Sequence, residues 1–220
     1  MSDERKSQPA FPADAFTGTA QYYVRYRVPY PQELIDDLKK RAGITGHGIL
    51  LDLACGPGRV ALRMSSCFRE VWAIDLEPEM VDVGRDEAKR RGVNNVRWMK
   101  GKAEDVKAPL ESFELITIGE AFHRLDQKVI STRALQWLLP GHFLSTMGGS
   151  SMWSGKEPWQ RIVVEKTRKW TNRKKAASHI DTDRPKPDRS LEQMNSVLQD
   201  AGFEDIKVYS FVHHNVWSTV

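Results

Sequence analysis

Residues 50–61, LLDLACGPGRVA, constrain this chain more than any other stretch. An apolar run of strand length meets Gly56-Pro57-Gly58, and the apolar-periodic segment RVALRMSSCF follows. That order reads as strand, tight turn, helix, and Gly56 through Ala61 fits the pattern G-x-G-x-x-G/A. Gly56 permits the turn, and Gly58 lets a ligand approach the backbone. Asp52 stands inside the apolar run, four residues before Gly56. An unpaired carboxylate in that setting costs several kcal/mol, so it needs backbone amide donors or a cationic ligand at the strand's end.

The same alternation continues down the chain. GILLDLAC, EVWAIDL, VRWMKG, FELITIGEA and GHFLSTMGG read as five strands, and FEDIKVYSFVHH reads as a sixth over 203–214. Helices are expected between them: one opened by Pro78 and closed by Gly92, one over about 126–138, one over EPWQRIVVEKTRKW, and one over SLEQMNSVLQDAG with a capping box from Ser190 to Gln193. RPKPDRS reads as a loop. Strands alternating with helices predict an α/β fold, doubly wound, with a mostly parallel sheet and helices on both faces. In such sheets the ligand lies beyond the carboxyl ends of the strands. Residues 1–14 carry no periodicity and are expected to form a disordered tail. Residues 15–220 are expected to form one domain, with 15–43 a strap and helix over its site. Within that strap lies an aromatic-basic cluster of Tyr22, Tyr23, Arg25, Tyr26, Arg27 and Tyr30.

Composition bounds the partners. The net charge of +4 is too small to mark a nucleic-acid binder by itself, and the one dense basic stretch, KTRKWTNRKK at 166–175, reads first as a solvated helix face. No apolar run reaches the roughly 18 residues of a membrane span, and the opening MSDERKSQPA is unlike a signal peptide. Cys55 and Cys67 do not make a disulfide framework, which points to a reducing cytoplasm. No metal-ligand spacing, phosphate-binding P-loop or nucleophile elbow is present, and the adjacent His213 and His214 point to opposite faces of a strand.

Asp75 ends the second strand nineteen residues after Gly56, where an acidic side chain can accept hydrogen bonds from both ribose hydroxyls. Together with the glycine turn this indicates an adenosine-containing ligand. Asp52 then selects among such ligands. It would repel the pyrophosphate of a nicotinamide dinucleotide and attract the ammonium and sulfonium of S-adenosyl-L-methionine.

LLDLACGPGRVA, VWAIDLEPEMV and GKAEDV, in that order and spacing, resemble three consecutive motifs of the class I S-adenosylmethionine-dependent methyltransferases. The resemblance covers roughly residues 20–214 and is nearest to the small-molecule type with a type 11 methyltransferase domain, of which trans-aconitate and quinone-ring methyltransferases are examples. It implies a Rossmann-like sheet of seven strands, so the six read here leave the last strand missing. It implies that Asp52, Ala54, Gly56 and Gly58 line the methionine end of the cofactor, Ala54 standing where the family usually has its first glycine. Asp75 would hold the ribose, and Leu76 and Met80 would pack on the adenine. Ala103 would offer its N–H to a ring nitrogen, with Glu104 near the exocyclic amine, while Lys102 replaces the family's usual aspartate. Gly119 and Glu120 would meet the cofactor's amino group. His123 would be the general base, with Arg124 where tryptophan often stands. Tyr23 and Arg27, in an opening similar to Y-x-x-x-R-x-x-Y-P, would cover the cofactor, Arg27 meeting its carboxylate. The glycine- and serine-rich GGSSMWSGKEPW, with Trp153 and Trp159, would wall the acceptor.

The function implied is in-line methyl transfer from S-adenosyl-L-methionine to an oxygen or nitrogen of a small-molecule acceptor, without metal, membrane or nucleic-acid partner. The alternatives are an RNA or protein methyltransferase using the basic 161–189 region, and a cofactor-binding module without turnover. A nicotinamide-dependent oxidoreductase is disfavoured by Asp52.

Overall fold

The computed structural model describes residues 16–148, 158–177 (backbone alone for 171–177) and 191–212. These divide into two units, one holding 16–147 and 191–212, the other holding the long helix of 158–177. The strands are β1 (Ile49–Leu53), β2 (Glu70–Asp75), β3 (Val96–Lys100), β4 (Phe113–Gly119) and β5 (Leu138–Met147). The helices are α1 (Ala20–Tyr26), α2 (Gln32–Arg41), α3 (Ala61–Met64), α4 (Pro78–Arg90), α5 (Gln127–Trp137), α6 (Pro158–Ala177) and α7 (Leu191–Asp200).

The strands form one sheet in the order β3-β2-β1-β4-β5, every neighbouring pair parallel. The α/β reading therefore stands. The order reverses between β1 and β4, and the crevice at that switch point is where an open sheet of this kind takes its ligand.

The two-residue period of the strands sorts their side chains onto two faces. Leu51, Leu53, Ile116 and Ile118 join α5 and Leu198 of α7 in one buried cluster. Leu50, Val71, Ala73 and Leu115 face the other way and join α2 and α3. This second face also contains Asp52, Asp75 and Thr117 by the same parity.

Trp98 of β3 shapes the second face. A methyl group on Gly58 or Gly84 would lie 2.4 Å from its ring. The glycine turn and the middle of α4 thus close on one indole, and Gly58, at φ 76, is required by packing as well as by its backbone conformation.

Several expectations need correction. The segment 203–212 forms no strand. Asp205 takes a left-handed φ of 54, which interrupts a ladder, and Phe203 and Ile206 drop onto the core cluster at three-residue spacing instead of alternating. Tyr209 then stacks under Arg41, whose guanidinium carbon is 3.7 Å from the ring centroid. The sheet of the described residues has five strands, where six were expected. The helix after the glycine turn is one α-turn continued by the 3₁₀ turn Ser65–Cys67. The aromatic-basic strap contains a helix, α1, that its sequence did not announce. β5 starts at Leu138 and passes through Pro140 and Gly141, accommodating them by a register shift between Phe113 and Leu115 of β4, as an edge strand can. The tail 1–14, the loop RPKPDRS, Ser190 of the capping box, Trp153, His213 and His214 lie outside the described residues.

Gly84→Ala tests the role of Trp98. The added methyl meets the indole at 2.4 Å and the Pro57 backbone at 3.2 Å. Unfolding free energy measured in urea is expected to fall by about 1–3 kcal/mol, and Trp98→Leu in the same chain should recover part of that loss.

Candidate functional site

β1 delivers Asp52 to the crevice, 1% exposed. The amide of Ala61, at the start of α3, donates to its Oδ2 at 3.1 Å. The Thr117 hydroxyl of β4 donates to its Oδ1 at 2.8 Å. One carboxylate therefore ties together the two switch-point strands and the helix after the glycine turn. Its pKa is still raised to about 7: burial pushes it up most, the bonds from Thr117 and Ala61 pull it down, and Asp75 adds a smaller upward push.

Asp75 ends β2 and serves the same turn. Gly56 N–H donates to its Oδ2 at 2.7 Å, and Glu77 N–H donates to its Oδ1 at 2.9 Å. Burial raises its pKa against the pull of these backbone bonds. Both oxygens accept backbone N–H bonds, and a carboxylate oxygen has capacity for a second donor.

A small pocket opens at this point, lined by Asp52, Ala54, Gly56, Arg59, Gly119 and the strap's Tyr23 and Tyr30, with Cys55 and Val60 behind. Two of its corners are strained. Ala54 has φ 51, and Glu120, just after Gly119, has φ 55. These left-handed conformations suit glycine, which accounts for the usual glycine at the first of these positions in the family resembled above. Both corners sit at carboxyl ends of strands, where strain marks function.

The strap reaches into the mouth. Tyr30 places its hydroxyl 2.5 Å from where a methyl on Gly119 would stand, so a side chain at residue 119 would displace Tyr30. Burial, and then the nearby Glu120, push the Tyr30 hydroxyl well above its ordinary pKa. Arg63 donates to the Tyr30 carbonyl at 2.7 Å, and Arg59 donates to the carbonyls of Tyr23 at 3.1 Å and Val24 at 3.4 Å. At the other end of the strap Thr17 donates to Glu77 and the amide of Gly18 to Glu79.

Of the residues expected in the site, Tyr23, Asp52, Ala54, Gly56 and Gly119 line the pocket together, with Asp75 holding the turn behind them. Arg27 and Glu120 pair with each other, Nη2 to Oε2 at 3.3 Å. The carboxylate partner assigned to Arg27 is thus supplied here by the protein. Gly58 packs on Trp98 and leaves the pocket wall. Met80 is buried, Leu76 is exposed, and Ala103 belongs to the apolar cluster of the opposite face. Glu104 accepts the Asp126 amide at 2.8 Å, and Asp126 caps α5 by accepting from Val129. Its carboxylate braces the loop after β4. His123 lies in the 3₁₀ turn Phe122–Arg124, anchored by buried Phe122.

Thr117, Arg59 and, beyond its place in the aromatic-basic cluster, Tyr30 carry no site role in the sequence analysis. Thr117 gave no signal beyond a hydroxyl in an apolar strand. Arg59 gave one: a cation at the start of a helix opposes the helix dipole, so its presence there asks for another duty.

Among the described residues there is no cluster of three or more metal-ligating groups, and no helix is long and apolar enough to cross a membrane.

Comparison with known proteins agrees with this geometry. Residues 50–141 match the family model described as a methyltransferase domain. An uncharacterised methyltransferase of Bacillus subtilis, YcgJ, is 31% identical over 59% of this chain and 52% of its own length. An uncharacterised RNA methyltransferase of Halalkalibacterium halodurans is 29% identical over 42% of this chain and 20% of its own. The chain thus spans about half and a fifth of these relatives. The solved structure of a putative S-adenosyl-L-methionine-dependent methyltransferase from Methanococcus maripaludis is 20% identical, covers 95% of this chain and 91% of that one, and superposes with a TM-score of 0.57. That likeness concerns the fold. The sheet has the fold of that solved structure. Over residues 50–141 this chain thus resembles a methyltransferase domain.

The shift at Asp52 has a measurable consequence. Its folded pKa of about 7 lies above the ordinary 3.8, so the proton favours the folded state. The stabilisation is complete below about pH 4, fades as pH rises to about 7, and is absent above. Urea titrations should show wild type losing stability relative to Asp52→Asn across that window, by an amount on the order of a few kcal/mol. Parallel pH profiles of the two proteins would refute the assignment.

Proposed function

We propose that this protein transfers the methyl group of S-adenosyl-L-methionine to an oxygen or nitrogen of a small-molecule acceptor. The observation that carries the reading is the pocket at the carboxyl ends of β1 and β4. There a buried carboxylate, Asp52, and a guanidinium, Arg59, share one wall with the glycine turn. Charges of both signs on one small pocket suit a zwitterionic amino-acid end better than a pyrophosphate. The Arg59 Nε, buried and without a hydrogen-bond partner, is an unused donor of the kind such a ligand satisfies. In this reading Asp75, whose oxygens each accept one backbone bond, also accepts from the ribose hydroxyls.

Bound in that crevice, S-adenosyl-L-methionine supplies an electrophilic methyl group on a sulfonium. The residues supply position and proton handling. Asp52 and the backbone at Gly119 and Glu120 favour positive charge at the strand tips. Tyr23 and Tyr30 restrict water at the mouth. His123, in the turn after β4, takes the proton that the acceptor's hydroxyl or ammonium gives up. Alignment of acceptor and methyl carbon does the rest.

A small pocket lined by the strap's Tyr23 and Tyr30 favours a small acceptor. The reading as an RNA methyltransferase rests on α6, where Lys166, Arg168, Lys169, Arg173, Lys174 and Lys175 follow one another, and on relatives named as RNA methyltransferases. Those matches extend over only a fifth of the relative, so they do not carry an acceptor with them.

Turnover of labelled S-adenosyl-L-methionine against a panel of hydroxyl and amine acceptors and against total RNA separates the readings. The account expects methylation of small acceptors. It also expects His123→Ala to lower kcat about 10²-fold or more, with affinity for S-adenosylhomocysteine nearly unchanged. Methylation of RNA, with binding that weakens steeply as salt rises, would favour the second reading. Cofactor binding with no turnover on any acceptor would leave a binding module.

A further inference from the structure

Arg27 is the strap arginine that the family resemblance assigns to the cofactor's carboxylate, and it is already paired with Glu120. Its side chain is also 43% exposed. Arg59 differs in each respect. It is half-buried, it lines the same pocket as Asp52 and Gly119, and its Nε is buried with no hydrogen-bond partner. Its Nη2 donates to two strap carbonyls, and the Tyr23 ring lies over its guanidinium with the centroid 5.4 Å away. Burial lowers its pKa, the mark of a cation held without its full complement of acceptors. A buried N–H left unsatisfied is costly, and a carboxylate is the acceptor that a guanidinium edge fits best.

We infer that Arg59 is the anchor for the carboxylate of the cofactor's amino-acid end, a role that the strap's Arg27 leaves open by pairing with Glu120. The inference rests on the cofactor assignment made above. Arg59 faces the carboxylate while Asp52, on the same wall, faces the ammonium, so the pocket reads both charges of a zwitterion. Arg59 also binds the strap at Tyr23 and Val24, so carboxylate and strap are held by one side chain. Ligands that lack the amino-acid end lose this contact and keep the contacts to ribose and adenine.

Calorimetry with two probes tests this. S-adenosylhomocysteine carries the carboxylate, and 5′-methylthioadenosine has the same nucleoside without the amino-acid end. Arg59→Gln is expected to weaken S-adenosylhomocysteine by at least tenfold and 5′-methylthioadenosine by less than twofold. Arg27→Gln should leave S-adenosylhomocysteine within about threefold of wild type. Circular dichroism checks the fold of each variant. If Arg59→Gln is misfolded, Arg59→Lys serves in its place, with a smaller loss confined to S-adenosylhomocysteine. Equal weakening of both probes would reduce Arg59 to a strap tether, and an unchanged affinity, or a selective loss in Arg27→Gln instead, would overturn the assignment. Wild type binding neither probe would refute the cofactor assignment itself, a result distinct from all of these.

Discussion

A single buried carboxylate joins the parts of this fold that make its crevice. Asp52 sits on β1, accepts a hydroxyl from β4, and accepts the first free amide of α3. Those three elements meet where the strand order reverses, the one place in an open parallel sheet where neighbouring connections leave in opposite directions and a gap remains. Without donors on both oxygens a carboxylate there would be expelled or protonated. With them it is held, and burial still keeps it poised near neutrality. The same group therefore ties together the three elements that frame the crevice.

The glycine turn is held from two sides. Asp75 takes the Gly56 amide from behind, and Trp98 fills the space against Gly58 and Gly84. The strap closes the opposite side, tied by Arg59 and Arg63 through backbone carbonyls, with Tyr30 seated against the bare backbone of Gly119. Charge and backbone geometry hold the turn, while side-chain packing sets how open its mouth is.

Periodicity made the sheet legible in the sequence. β1 to β4 carry β-branched and aliphatic residues in short runs bounded by turn residues, and each appears within a residue or two of the expected place. Asp52 was legible as an anomaly, because a charge in such a run demands an explanation. The bracing half of that explanation was not legible, since Thr117 and the Ala61 amide are distant in sequence and carry no pattern. Gly58 was read for a ligand and turns out to be needed by Trp98, forty residues away, a contact that no local motif encodes. The bond that Glu104 accepts from the Asp126 amide was not legible for the same reason. The expected sixth strand had the right alternation, but Asp205 turns the chain, and tertiary contacts of Phe203, Ile206 and Tyr209 replace the ladder.

Carbon-13 labelling of the Asp52 carboxyl, followed by NMR across pH with and without S-adenosyl-L-methionine, measures the link between crevice and cation directly. The account predicts a free-protein pKa near 7 that falls by at least one unit when the sulfonium ligand binds, with no such fall on adding a nicotinamide dinucleotide. A carboxyl that titrates near 4 in the free protein, or one indifferent to S-adenosyl-L-methionine, would contradict it.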